Sequence, residues 1–220
     1  GRLVHLDFGQ SLSYNQPALD IVFERFPATL KLAVAAILFT ILTGIPLGII
    51  AALHRNSIVD RVALVLALLG TSAPTFWVGI LLILLFSVKW QMLPSIGDQG
   101  PTSLILPAVT LGIFSTAKIS RLTRSAFLEV LRRDFLRTAR AKGLRERVVL
   151  ISHAAPNTLI TLITVIGLEF ALLLGGAVIT ETVFSWPGIG RLAVQAIGAR
   201  DYPLVQAIVF VFATLVILVN

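Results

Sequence analysis

Apolar residues run along this chain in five long blocks, at about 28–53, 62–88, 104–122, 158–183 and 204–220, with polar residues gathered between them. At ~1.5 Å of helix rise per residue, the first, second and fourth blocks exceed the ~30 Å hydrocarbon core of a bilayer. Tilted or kinked membrane-crossing helices are therefore expected. Unbroken apolar runs do not fit the alternating pattern of a membrane barrel. The third block is the least apolar, with Thr110, Ser115, Thr116 and Lys118 in or near it. Residues 1–27 are mixed and weakly amphipathic, and are expected outside the bilayer or on its surface. The predicted fold class is an all-α membrane protein, a polytopic helix bundle. Its odd number of spans is expected to follow a first helix upstream of Gly1.

Between the third and fourth blocks, residues 123–157 keep a pattern of their own. From Ser125 to Lys142 the spacing predicts a helix. Phe127, Leu131, Phe135 and Ala139 form an apolar stripe, and Arg133, Arg137 and Arg140 occupy another face. Gly143 is expected to break that helix. A short amphipathic piece follows from Glu146 to Ala154, and Pro156 is expected to close it just before the fourth span. The predicted result is a compact knob carrying apolar side chains for a partner's groove.

Composition agrees with the hydropathy pattern: 56% of residues are hydrophobic, 13% are charged, and mean hydropathy is +0.92. A net charge of +7 would suggest nucleic acid in a soluble protein, but membrane topology accounts for it here. The loop 54–61 holds Arg55 and Arg61 against Asp60, and 118–147 holds ten Lys/Arg against Glu129, Asp134 and Glu146. Stretches 1–31, 89–103 and 181–203 each balance. Threaded alternately, the basic loops share one side. The positive-inside rule makes 54–61 and 118–157 cytoplasmic, the start of the chain external and its end internal. Trp90 and Trp186 fall at external boundaries, as interfacial aromatics do, whereas Trp77 lies within the second block.

Candidate chemistry is sparse. There is no cysteine, hence no disulfide and no thiolate ligand. His5, His54 and His153 are scattered, with no metalloprotease or serine-hydrolase signature, so no metal site and no catalytic residue is expected. The run Gly188-Ile-Gly190 imitates a dinucleotide fingerprint but lacks the strand that should precede it. No P-loop is present, so any ATP and magnesium would be held by other polypeptides. Glu169 stands alone within a span, where a carboxylate costs on the order of 2.5–3.5 kcal/mol. It is either a residue lining a water-filled route or a protonated or hydrogen-bonded packing residue. Pro46, Pro74 and Pro107 lie in or at the start of three spans, as kinks useful to a moving bundle or as tolerated structure. Gly44 and Gly48 form a GxxxG that would admit a close helix. Trp186, Pro187 and Gly188 read as a tight turn with an interfacial tryptophan.

The stretch DFLRTARAKGLRERVVLISHAAPNTL (134–159) resembles the EAA loop of ABC importer permeases. That loop is written as Glu-Ala-Ala, three residues, Gly, nine residues, then Ile-x-Leu-Pro. The leading positions fall on Arg137, Thr138 and Ala139, the glycine on Gly143 and the proline on Pro156. Arg137 and Thr138 depart from Glu and Ala, and the form RTARAKG is similar to the peptide/nickel branch. So are TETVFSWPGIGRL (180–192), RDYPLVQA (200–207) and LDFGQSL (6–12).

The resemblance implies a type I ABC importer transmembrane domain over 28–220, with six helices in the full chain and a coupling loop at 123–157. Arg137, Thr138, Ala139, Arg140, Lys142, Gly143 and Pro156 would dock and move with an ATP-binding subunit. Trp186, Pro187 and Gly188 would lie near the outer gate. Implied partners are a second homologous permease, two ATP-binding subunits, an extracytoplasmic substrate-binding protein and membrane lipid. The implied setting is the bacterial cytoplasmic membrane, and the implied activity is alternating access for di- or oligopeptides. Glutathione or nickel is the alternative cargo within the branch. An ion-coupled secondary transporter is the alternative of another class, with Glu169 its sole carboxylate candidate.

Overall fold

The computed structural model describes residues 8–58, 60–62, 64–65 and 73–219, the side chains of 216, 218 and 219 excepted. The elements named below are all helical. Helix α1 (Ala18–Leu53) is followed by helical residues at 58, 60–62 and 64–65 and then by α2 (Thr75–Leu82), which widens into a π-helical stretch Ile83–Lys89. A 3-10 turn, Pro101–Leu104, leads into α3 (Ile105–Val130), and then come α4 (Asp134–Ala141) and α5 (Glu146–Val148). A π-helical stretch, Val149–Ala154, joins α5 to α6 (Ala155–Val183), and α7 (Ile189–Gly198) and α8 (Tyr202–Val219) follow. Among the described residues, three continuous helical runs are long and apolar enough to cross a membrane: Ala18–Leu53, Pro101–Val130 and Glu146–Val183. Thr75–Lys89 and Tyr202–Leu215 are shorter apolar helices. Part of the expected second span, 63 and 66–72, lies outside the described residues.

The expected boundaries move for physical reasons. Helix α1 begins at Ala18, ten residues before the predicted span. Ala18, Ile21 and Val22 share one face, and all three are buried. Pro17 supplies the carbonyl that the amides of Asp20 and Ile21 reach, and Asp20 sits favourably in the first turn. Pro74 does not kink a helix. It is extended (φ −62°, ψ 134°) and immediately precedes α2. Pro107 is the third residue of α3, in the turn where the 3-10 segment passes into the α-helix, a place that tolerates proline better than a helix interior. Pro46 stays inside α1, which runs through it.

The chain divides into two compact units. The first comprises 1–36, 74–111 and 170–220. Its core joins Ala18, Ile21 and Val22 of α1 to Ile189, Leu192 and Ala196 of α7 and to Leu204, Ala207 and Ile208 of α8. The second comprises 37–73 and 112–169. There Gly44 and Gly48 of α1 face α3 closely. A Cβ on Gly48 would lie 2.5 Å from the Ser120 carbonyl oxygen, and one on Gly44 would lie 3.2 Å from that of Thr116. The GxxxG thus serves a helix contact within the chain itself. Beside it, the Thr40 hydroxyl donates to the Gly112 carbonyl at 3.1 Å.

Candidate functional site

In the second unit, the 123–157 segment folds as helix, corner and helix, with two departures from expectation. Helix α3 ends at Val130, and Arg133 is extended (φ −71°, ψ 144°) before α4 starts at Asp134. The expected single helix over 125–142 is therefore broken at 131–133. The break places an acidic residue in a new first turn. It also turns Leu136 and Ala139 inward against Ala52, Phe127, Val149 and Ala154. Phe135, aligned with the stripe in the sequence, is instead 42% exposed.

Gly143 ends α4 in the left-handed region (φ +77°), where a side chain would be strained. The Gly143 amide donates to the Arg140 carbonyl at 2.9 Å and the Leu144 amide to that of Ala139 at 3.4 Å. These are the paired bonds of a glycine-terminated helix. Across the corner Arg140 grips Glu146 with two bonds, Nε to Oε2 at 3.0 Å and Nη2 to Oε1 at 2.7 Å. Those bonds hold the Glu146 carboxyl below its ordinary range, and both side chains remain substantially exposed.

Pro156 does not close the following helix. It is the second residue of α6, and the helical run continues from Glu146 to Val183. Proline cannot bond back to a carbonyl one turn earlier. The chain absorbs this with the wide turn at Val149–Ala154. Side chains serve the neighbouring carbonyls: Asn157 Nδ2 donates to that of His153 at 2.7 Å, and Thr158 Oγ1 to that of Ala154 at 3.0 Å. The outcome is an outward cleft of about 360 Å³ lined by Phe135, Thr138, Ala139, Lys142, Leu144 and His153. Arg137, Thr138, Arg140, Lys142, Gly143 and Pro156 are exposed, whereas Ala139 packs inward.

Glu169, midway along α6 and 4% exposed, is not alone. Ser115 Oγ donates to its Oε2 at 2.9 Å, and Lys118 Nζ bonds its Oε1. Ser115 and Lys118 lie one helical turn apart on α3, so both reach one carboxylate. Lys118, counted with the basic loop in the sequence, belongs instead to this pair, and its side chain stays 48% exposed. The rule that a carboxylate in a span needs a partner could have located it. Nearby, Arg124 binds Asp60 through two bonds of 2.6 and 2.7 Å. The Arg124 guanidinium and the Asn56 amide hold the Asp60 carboxyl below its ordinary range.

In the first unit two buried carboxylates organise the 184–201 segment. Glu181 is fully buried; it accepts from Thr29 Oγ1 at 2.6 Å and from the Arg191 amide at 3.0 Å. Thr29 Oγ1 in turn accepts from the Ile189 amide at 2.8 Å. The free amides opening α7 are thus met by one hydroxyl and one carboxylate. Gly188 leaves the room this needs, because a Cβ there would collide with the Glu181 carboxylate. Trp186 is not an interfacial anchor. It is wholly buried, and its Nε1 donates to the Ala28 carbonyl at 2.8 Å.

Asp201, also buried, accepts from Ser11 Oγ at 2.5 Å, from the Ser13 amide at 3.1 Å and from the Leu204 amide at 3.3 Å. Burial pushes its pKa up, but these bonds outweigh that and leave the carboxyl below its ordinary range. Asp followed by Tyr-Pro is a helix-start signature that could have been read from the sequence. Glu181 carried no comparable signal. Among the described residues no cluster of His, Cys, Asp or Glu is placed to hold a metal ion.

Residues 44–220 match the family model described as "Binding-protein-dependent transport system inner membrane component". The chain is 43% identical to the dipeptide transport system permease protein DppB of Escherichia coli (strain K12), covering 99% of this chain and 74% of that protein. It is 42% identical to the glutathione transport system permease protein GsiC of the same strain, covering 97% and 70%. An inward-facing MetNI methionine ABC transporter structure superposes with a TM-score of 0.72 at 19% identity, over 90% of this chain and 91% of that one. An amino acid ABC transporter superposes with a TM-score of 0.66 at 18% identity, over 91% and 89%.

Proposed function

The chain belongs to the family of binding-protein-dependent transport system inner membrane components, and on that premise we propose that it carries di- or oligopeptides across the bacterial cytoplasmic membrane. As an ABC importer permease it is a multi-pass membrane protein and not itself the ATPase. Such permeases work with ATP-binding and substrate-binding partners.

The peptide assignment is supported by DppB, named as a dipeptide permease; GsiC, named for glutathione, keeps a γ-linked tripeptide as the second cargo. The proposed assembly pairs the chain with a second homologous permease, two ATP-binding subunits carrying ATP and magnesium, and an extracytoplasmic binding protein. Loop 54–61 and the basic segment from beyond Lys118 to 157 face the cytoplasm in this reading, while Lys118 itself reaches back along the third span to Glu169.

One observation carries the coupling role: the Gly143 corner, stapled by Arg140 and Glu146, which leaves Phe135, Thr138, Lys142 and Leu144 around an open cleft. An apolar floor with cationic edges suits a short helix docked into a motor subunit's groove. ATP closing the motor would then push on this knob and switch the side to which the bundle opens.

The half-exposed Lys118 ammonium, held by Glu169, supports a place on the cargo route, because a cation at membrane depth avoids lipid and faces water or protein. Trp186, Pro187 and Gly188 lie near the outer gate in this reading. Trp186 and Gly188 would act as fixed walls, since both are buried.

The test is extraction of the whole complex in mild detergent, with mass spectrometry of the co-purifying chains. P-loop ATPases in stoichiometric amounts, lost when Gly143 and its neighbours are mutated together, are expected. Their absence under conditions that preserve other complexes would refute the coupling role.

A further inference from the structure

The 181–203 stretch balances in sequence, yet it is not neutral in space. Glu181 and Asp201 are wholly buried as helix caps, so the charges left facing outward are Arg191 and Arg200. Arg191 lines a small polar cleft of about 220 Å³ together with Tyr14, Arg25, Gly188 and Gln195. Arg191 and Gln195, four apart on α7, share one face. The Arg191 guanidinium is fixed from behind, donating from Nη1 to the Ser185 carbonyl at 2.6 Å, which leaves its other donors for the cleft.

Arg25 Nε is buried without a hydrogen-bond partner. Among the described residues neither guanidinium is paired with a carboxylate. The walls are anchored: Tyr14 follows Ser11, which is tied to Asp201, and its own amide donates to Ser11 Oγ at 3.1 Å. Gly188 is pressed against Glu181. Two guanidinium groups that no carboxylate among the described residues pairs with, on anchored walls, form a carboxylate receptor. Arginine's planar fork matches a carboxylate with paired bonds, and a partly desolvated site strengthens them.

We propose that this cleft receives one acidic side chain of the extracytoplasmic substrate-binding protein and so registers that protein on the importer. The proposal rests on the importer reading above, which places residues 1–27 and 184–203 outside. The cleft's size suits a side chain, and both of its cations lie on segments external in that topology. Delivery by a separate protein is what the family's description requires.

The experiment measures the affinity of the co-purified binding protein for the complete importer in nanodiscs, at two salt concentrations. The variants are Arg25→Gln, Arg191→Gln and Arg200→Gln; the last removes the same charge from outside the cleft. Loss of a paired charge should weaken binding by about tenfold or more for the first two and by less than about threefold for the third.

Subunit stoichiometry checks assembly, and Gln195→Ala carries the test if an arginine variant fails to assemble. Equal losses for all three arginines would reduce the effect to general electrostatics and overturn the proposal. Unchanged binding overturns it too: a raised KM for peptide would then assign the cleft to the cargo's carboxylate, and loss of a co-purifying anionic lipid to a headgroup. Wild-type importer that bound no such protein would instead sink the importer reading itself.

Discussion

Replacing Gly48 and Gly44 by alanine, one at a time, separates a helix contact that tolerates a methyl group from one that does not. At Gly48 the new Cβ would meet the Ser120 carbonyl oxygen at 2.5 Å and Thr123 Cβ at 2.6 Å. The first obstacle is backbone and cannot swing aside, so α1 and α3 must separate locally. Overpacking of this kind costs ~1–3 kcal/mol, and the backbone obstacle argues for the upper half of that range. Against it stands the gain of about 1 kcal/mol in helix propensity for alanine over glycine.

The net for Gly48→Ala is then a loss of about 1–2 kcal/mol, or about 2–8 °C in Tm for a chain of this length. At Gly44 the closest approaches are 3.2 Å to the Thr116 carbonyl and 3.3 Å to Ile119 Cγ2. A few tenths of an ångström of relief suffices there, so the propensity gain cancels or exceeds the strain. The assay is thermal unfolding of the purified importer in mild detergent, followed by circular dichroism. Equal Tm changes for the two variants, or an undiminished Tm for Gly48→Ala, would refute the steric reasoning.

Gly143→Val, forced to φ +77°, should assemble but hydrolyse ATP without uptake in proteoliposomes; normal uptake would remove the corner from the coupling path. Glu169→Gln should change peptide uptake without loss of assembly, because Lys118 would be released from its counter-charge; an unchanged rate would mark the pair as packing. Gly188→Ala should lower the Tm and expose the start of α7 to hydrogen exchange, since the methyl displaces the Glu181 carboxylate; protection equal to wild type would contradict that. Asp60, with its pKa depressed by Arg124, contributes stability fully present above the unfolded-state value of about 3.9 and lost as pH falls through its folded-state value. The stability gap between wild type and Asp60→Asn should be constant from pH 5 to 8 and shrink below pH 4; a gap that widens in acid would reverse the sign.

Much of the candidate site was legible because it is local. The Gly143 corner follows from a helical period ending on a residue that accepts positive φ, and both determinants lie within one turn. The docking stripe was legible only in part. Periodicity alone could not tell that the helix breaks at 131–133, because the break depends on Leu136 finding Ala52 and Val149. Pro156 misled for a related reason: proline is a helix breaker in isolation, yet here a wide turn, Asn157 and Thr158 satisfy the carbonyls around it.

By itself the sequence determined the membrane character, the helical class and the family. Each rests on summed hydropathy or short-range spacing, which need no knowledge of what packs where. Tertiary structure alone decided the pairings. Lys118 meets Glu169 from 51 residues away, Thr29 meets Glu181 from 152, and Ser11 meets Asp201 from 190. It also decided that Trp186 is interior and that, of the charged residues in 181–203, the carboxylates are buried and the arginines are not. A buried carboxylate is stable only where donors from other helices converge on it, and that convergence is a property of helix faces meeting.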